Sequence, residues 1–230
     1  REEKYPILPL RTGVLFPGMM LTIQVGRPEN LELLEQSRSG KKQFVAAYSP
    51  SRYAEAEATP FHQVGVLAEV RDIKAGSGNS QVVTIEGLKR VAISKIIQSE
   101  PFVIASVNYM QPATDMSKEL PAKLDEVVAV VREITALDPT YSPEQINVLQ
   151  MNREDFSLAA DTVAATYHFP LEAKQDLLET VNLELRFDRL LNYLNAELSR
   201  VVTIHNINTN VQKSLEDEQR KHFLRQQLHE

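Results

Sequence analysis

Between Leu171 and Glu230 the chain runs for sixty residues without a Gly or a Pro. Those two residues are the usual helix breakers, so nothing in this stretch interrupts a very long helix. From Leu183 onward the apolar residues Phe187, Leu190, Leu191, Leu194, Leu198, Val201, Ile204, Ile207, Val211 and Leu215 recur at helical spacing. They form one stripe, the pattern of an amphipathic helix or a coiled-coil seam. A helix continuous to Glu230 would be about 70 Å long at 1.5 Å per residue. A small domain of ~115 residues makes a ball only about 35 Å across. The sequence therefore predicts a rod that its own chain cannot cover, one that projects and requires a partner. Asn206-Ile-Asn-Thr-Asn210 has low helix propensity and predicts a bend or frayed point in that rod. The chain starts at Arg1 rather than Met and stops inside a charged pattern with no capping Gly. It reads as a piece of something larger.

Glycine divides the rest. All eight glycines lie at or before Gly87. Up to about Tyr109 the chain reads as short β segments, and after Pro112 as helices. Pro6 to Arg11 is held extended by its prolines. Val14-Leu-Phe-Pro-Gly18 runs apolar into a Pro-Gly turn, and Met20–Val25 alternates as a strand does. Glu29–Gln36 reads as a helix entered through Pro28. Further strands are expected at Gln43–Tyr48, Val64–Lys74, Gln81–Ile97 and Phe102–Tyr109. The second and third of these are joined by Ala75-Gly-Ser-Gly-Asn-Ser80, a hairpin whose small residues accept positive φ. Roughly six strands and one helix imply a curved sheet or partial barrel. Gln111 to Leu120 is the expected linker. Helices follow near Lys118–Leu137, Pro143–Met151, Phe156–Tyr167 and Leu171–Val181, with breaks at Asp138-Pro139 and His168-Phe-Pro170. The expected class is α+β, with a β-rich unit over 1–112, a helical bundle over 113–182 and the long helix over 183–230.

The composition excludes more chemistry than it suggests. Hydrophobic residues make up 43% and charged residues 24%, ordinary for a globular chain. A net charge of −6 argues against nucleic acid or an anionic membrane as the main partner. No run approaches the ~18 apolar residues of a membrane span. Cysteine is absent, which rules out disulfides and thiolate metal sites and is compatible with a reducing compartment.

No catalytic or metal constellation is legible, so the expectation is no catalytic residue, no cofactor and no metal. The five histidines, 62, 168, 205, 222 and 229, lack ligand spacing. Gly76-Ser-Gly78 lacks the third Gly and the Lys-Ser/Thr of a phosphate cradle and sits between strands, so it reads as a hairpin tip. Glu216-Asp-Glu218, followed by Arg220 and Lys221, reads as a solvated helix face. Lys89-Arg90 and Lys41-Lys42 are the densest basic spots, thin for a nucleic-acid footprint. One stretch suggests binding. Phe16, Met19, Met20 and Leu21 surround the Pro-Gly turn, and methionine adapts to varied partners. They are either a cap on the core of the barrel or a contact site for apolar segments.

Taken together, several stretches resemble a known family. Pro9-Leu-Arg11, Val14-Leu-Phe-Pro17 and Val25-Gly-Arg27 resemble the opening of the N-terminal domain of Lon, the ATP-dependent protease. Val64-Gly-Val-Leu-Ala-Glu69 and Val83-Thr-Ile-Glu-Gly-Leu-Lys-Arg-Val-Ala-Ile-Ser94 look like its second signature. Ala159-Ala-Asp-Thr-Val-Ala-Ala165, Phe169-Pro-Leu171 and Lys174-Gln-Asp-Leu-Leu-Glu179 match its helical part. Lys213 to Leu228 resembles the helix leading into its ATPase module. Departures fall at the Ala-rich Ala54-Glu-Ala-Glu-Ala58 and the glycine hairpin.

The resemblance implies a PUA-like β-rich subdomain, a helical bundle and a long linking helix. It implies a region that engages unfolded, damaged or tagged proteins, supports assembly of a hexamer, and is inactive alone. It further implies that ATP and Mg serve an AAA+ module, and a Ser–Lys dyad a peptidase, both outside these residues, in a cytoplasmic protein. The rival reading is an RNA-binding module, because PUA-like barrels elsewhere hold RNA; the acidic balance weighs against it.

Overall fold

The computed structural model describes residues 3–40, 42–50, 61–111 and 117–227. Six strands come first: β1 (Glu3–Leu10), β2 (Met20–Val25), β3 (Gln43–Tyr48), β4 (Val64–Ala75), β5 (Gln81–Gln98) and β6 (Ile104–Tyr109). One helix, α1 (Pro28–Ser39), lies between β2 and β3. The helices α2 (Leu120–Leu137), α3 (Glu144–Met151), α4 (Phe156–Thr166), α5 (Leu171–Glu179) and α6 (Leu183–Gln227) follow. The protein is thus α+β, a curved sheet followed by helices ending in a long one.

The strand order is β2-β5-β4-β3-β1-β6, and β6 also pairs with β5. That last pairing closes β5, β4, β3, β1 and β6 into a ring, with β2 laid on the first half of β5. β5 can serve three neighbours because it is 18 residues long and bends. Its first half pairs with β2 and β4 and its second half with β6, with register shifts at Ile93/Lys95 and Ile96/Gln98. Such bulges add local twist and let a sheet curl on itself.

Alternation along the strands splits the apolar side chains between two cores, because successive side chains point to opposite faces. Tyr5 and Ile7 of β1, Val45 and Ala47 of β3, Leu67, Val91, Ile93, Ala105 and Val107 form one cluster, supplied by every strand of the ring. Leu8 and Leu10 of β1 and Phe44, Ala46 and Tyr48 of β3 face the other way. This second cluster takes in Leu33 and Leu34 of α1 and runs on through Leu124, Val131, Val163 and Leu177 to Phe187, Leu190 and Leu194 of α6. Barrel and bundle therefore share one continuous apolar core.

The helix ends follow their local chemistry. The Asp155 side chain accepts from the Leu158 backbone N–H at 2.9 Å, capping α4. Asn182 does the same for Leu185 at the start of α6, also at 2.9 Å. α2 stops before Asp138-Pro139, and the stretch His168-Phe-Pro170 separates α4 from α5.

α6 has 45 residues, about 68 Å at 1.5 Å per residue. It has two environments. Leu183, Phe187, Leu190, Leu194 and Val201 are buried against the bundle, whereas Ile204, Ile207, Val211 and Leu215 on the same stripe are exposed. The bend expected at Asn206–Asn210 is absent: the helix is unbroken there. Low propensity costs only a few tenths of a kcal/mol per residue, and the Thr209 hydroxyl satisfies itself on the His205 carbonyl at 2.9 Å. Of the expected linker, Pro112–Met116 lies outside the described residues, as does Ala54–Ala58.

Candidate functional site

The turn ahead of β2 is pinned by a reciprocal pair of backbone bonds. The Gly18 N–H donates to the Gly87 carbonyl at 2.8 Å, and the Gly87 N–H donates to the Met19 carbonyl at 2.9 Å. Gly18 has φ +75°, a backbone that side chains disfavour. At Gly87 a Cβ would sit 2.3 Å from the Phe16 carbonyl oxygen, so only glycine allows β5 to approach the turn this closely.

The four residues singled out in the sequence are sorted by this geometry. Phe16 is fully buried in the shared core. It belongs to the core beneath the turn and lines the groove beside Met19 and Leu21 from within. Met20, by contrast, is 64% exposed. Met19 and Leu21 are half-buried and rest on the core beside it. Together these three border a groove of about 130 Å³ that reaches Ala165 and Leu171 of the bundle. Lys174 also lines it, and its Nζ donates to the Ala165 carbonyl at 3.1 Å. Burial pushes the Lys174 ammonium below its ordinary pKa.

On the opposite side of the same turn, Pro17 and Gly18 form one wall of a larger cleft of about 550 Å³ between barrel and bundle. Its base holds a buried charge network that sequence reasoning missed. Arg90 of β5 reaches the bundle and grips Asp161 of α4 with two bonds of 2.7 and 2.6 Å. Its Nε donates to the Leu178 carbonyl of α5 at 2.9 Å. Arg186 of α6 donates to the same Asp161 at 3.3 Å and to the carbonyls of Thr180 and Val181 at 2.6 and 3.2 Å. Burial, then repulsion from Arg90, lowers the Arg186 pKa to about 10. The missed signal was one acid, Asp161, inside the otherwise uncharged run Ala159-Ala-Asp-Thr-Val-Ala-Ala165. A lone carboxylate in such a helix calls for a buried cation.

Comparison with known proteins fixes what this architecture is. The sequence matches the family described as the ATP-dependent protease La (LON) substrate-binding domain over residues 4–196. The chain belongs to the Lon substrate-binding domain family. Lon protease 2 of Herpetosiphon aurantiacus is 33% identical over 225 residues, and Lon protease of Brevibacillus choshinensis 29% identical over 229. Those alignments cover 97% and 99% of this chain but 27% and 29% of the relatives, so the chain spans a little over a quarter of their length. The fold is shared with the N-terminal domain of the Mycobacterium avium complex Lon protease, with a TM-score of 0.68 and 20% identity over 84% of this chain and 98% of that one. A Lon N-terminal domain protein from Xanthomonas campestris aligns with a TM-score of 0.58 at 15% identity, over 83% of this chain and 98% of that one.

Among the described residues no group of three or more His, Asp or Glu side chains is placed to hold a metal ion. No described helix is long and apolar enough to cross a membrane. The basic spot at Lys89-Arg90 is reduced to Lys89, since Arg90 is buried on Asp161. Lys41 of the other basic spot lies outside the described residues.

Proposed function

We propose that this domain captures exposed apolar segments of unfolded, damaged or tagged proteins for an ATP-dependent protease, with Met20, flanked by Met19 and Leu21, as the contact. The observation that carries this reading is an exposed thioether at the start of β2, next to a backbone-pinned turn and bordering a mostly apolar groove. A flexible, polarizable side chain accommodates many apolar shapes, while a fixed backbone avoids an ordering cost on binding. Membership of the substrate-binding family supports the same reading.

In this proposal the chain cleaves nothing by itself. ATP and Mg act on an AAA+ module, and a Ser–Lys dyad cuts peptide bonds, on parts of the polypeptide beyond these residues. Several copies in a cytoplasmic hexamer convert weak single contacts into useful avidity. The exposed half of α6 spaces the heads from the motor and meets neighbouring subunits.

The test is equilibrium binding of unfolded casein to the chain and to Met20→Ser and Met20→Leu. The serine variant is expected to lose about fivefold to tenfold in affinity, and the leucine variant to stay within about twofold of the parent. Unchanged binding by Met20→Ser would reject the assignment of this turn.

A further inference from the structure

The cleft on the far side of the Met20 turn has a charge imbalance that its own residues do not cancel. Lys89, Arg90 and Arg186 line it against Asp155 and Asp161. Neither carboxylate is available to a ligand. Asp161 is taken by both buried guanidinium groups, and Asp155 caps α4 through the Leu158 N–H. The remaining partners of Arg90 and Arg186 are the carbonyls of Leu178, Thr180 and Val181 and the Ser157 hydroxyl, which carry no formal charge. Among the described residues Arg90 and Arg186 share the single charge of Asp161, and the exposed Lys89 is set against Asp155, so the lining carries one net positive charge.

The uncharged lining is mostly apolar, with Tyr109, Gln111 and Ser157 as its polar members. Pro17, Leu88, Met110, Leu158 and Val181 face a space of about 550 Å³, the size of sites that enclose several side chains. A bare hydrophilic anion would gain nothing from those walls. An apolar segment without charge would leave the net positive charge of the lining uncompensated.

The geometry points to a subsite for a carboxylate carried by an apolar peptide segment: aliphatic or aromatic side chains against Leu88, Leu158 and Val181, and the carboxylate toward Lys89 and the Arg90–Arg186 base. This rests on the reading that the domain engages protein substrates, and it names a chemical class that the methionine turn cannot select. The turn would grip apolar residues without regard to charge, and the cleft behind it would favour segments that also bear an acid. The carboxylate can come from a chain terminus or from an Asp or Glu side chain.

Three labelled peptides that share one apolar sequence separate the possibilities by fluorescence anisotropy with the 230-residue chain. The first ends in a free carboxylate, the second in an amide, and the third in an amide with a central Glu. At least one acid-bearing peptide is expected to bind about fivefold or more tighter than the neutral amide, with a preference that shrinks as salt is raised. Whichever acid peptide wins identifies the source of the carboxylate. Lys89→Glu changes an exposed residue outside the buried network, and it is expected to abolish the preference for the acid-bearing peptides. Equal binding of all three peptides, or a preference that survives Lys89→Glu, overturns the subsite. Its failure is distinct from that of the methionine turn. If Met20→Ser weakens casein binding while the three peptides bind alike, the turn stands and the cleft falls. If casein binding ignores Met20→Ser while the acid preference depends on Lys89, the reverse holds.

Discussion

Two buried guanidinium groups share the Asp161 carboxylate, which ties β5, α4 and α6 together at the junction. Removing its charge leaves both cations in the core without a counter-ion. Asp161→Asn is expected to cost about 3–5 kcal/mol in urea unfolding, the range for breaking a buried ion pair from one side. Two glycines give a contrasting pair of outcomes. Gly87→Ala forces a Cβ to within 2.3 Å of the Phe16 carbonyl, a backbone atom that cannot swing away. Gly78 has φ +62° at the hairpin tip but nothing within 4 Å of an added Cβ. Gly78→Ala should therefore cost about 1–2 kcal/mol of backbone strain. Gly87→Ala should cost about 2–3 kcal/mol through overpacking and should also weaken casein binding, because the Met20 turn hangs on that contact. Equal effects at the two positions would contradict this account of the turn.

At the scale of elements, α6 carries the clearest pH dependence. Glu197 on its buried face accepts from Arg200 at 2.6 and 2.8 Å and from the Tyr141 hydroxyl at 2.9 Å. The bonds from Arg200 and then from Tyr141, against burial, hold its pKa below the ordinary 4.5. Asp138 is likewise lowered, chiefly by its bonds from Thr140. Burial pushes the Tyr141 phenol up to about 12, so it remains a donor at neutral pH. A carboxylate with a depressed pKa in the folded state stabilises the protein above its ordinary value, and that gain is lost as acid titrates the folded form. Urea midpoints should thus fall as pH drops below 4.5, and Glu197→Gln should flatten part of that fall. An unaltered slope in the variant would remove Glu197 from the account.

The same elements show what was legible in the sequence and what was not. Helix ends were readable because their signals are local: Ser142-Pro143, Asp138-Pro139 and His168-Phe-Pro170 act within one turn of chain. β1 read only as an extended segment because Pro6 and Pro9 obscure it. The structure accommodates them by stagger, pairing residues 3–6 with β6 and 7–10 with β3, so that neither proline stands in a fully two-sided ladder. Ring closure through β5 and β6 was invisible because it depends on bulges, which leave no simple periodicity. Of the candidate site, the turn was legible, and the sequence left open whether Phe16 caps the core or meets a partner. A Phe beside a Pro-Gly turn has the same local sequence whether it points in or out.

For the whole molecule, the shared core and the two environments of α6 divide the chain into a body and an extension. Past Val201 almost every described residue is exposed, and the apolar stripe continues with no covering partner among the described residues. Deleting the chain after Thr203 should shift the thermal midpoint by less than about 2 °C, since little burial is lost. A large drop would mean that the distal stripe folds back on the body. The intact chain with ATP is expected to leave casein uncut in an overnight incubation read by gel.

The central claim is that apolar substrate segments dock at the Met20 turn. Photo-crosslinking to unfolded casein tests it most directly, with p-benzoylphenylalanine placed at Met20 or, as a control, at Met151, which is 85% exposed on α3. The account predicts strong casein adducts from position 20 and only background from position 151. Adducts of equal strength from both, or adducts from position 151 alone, would contradict it.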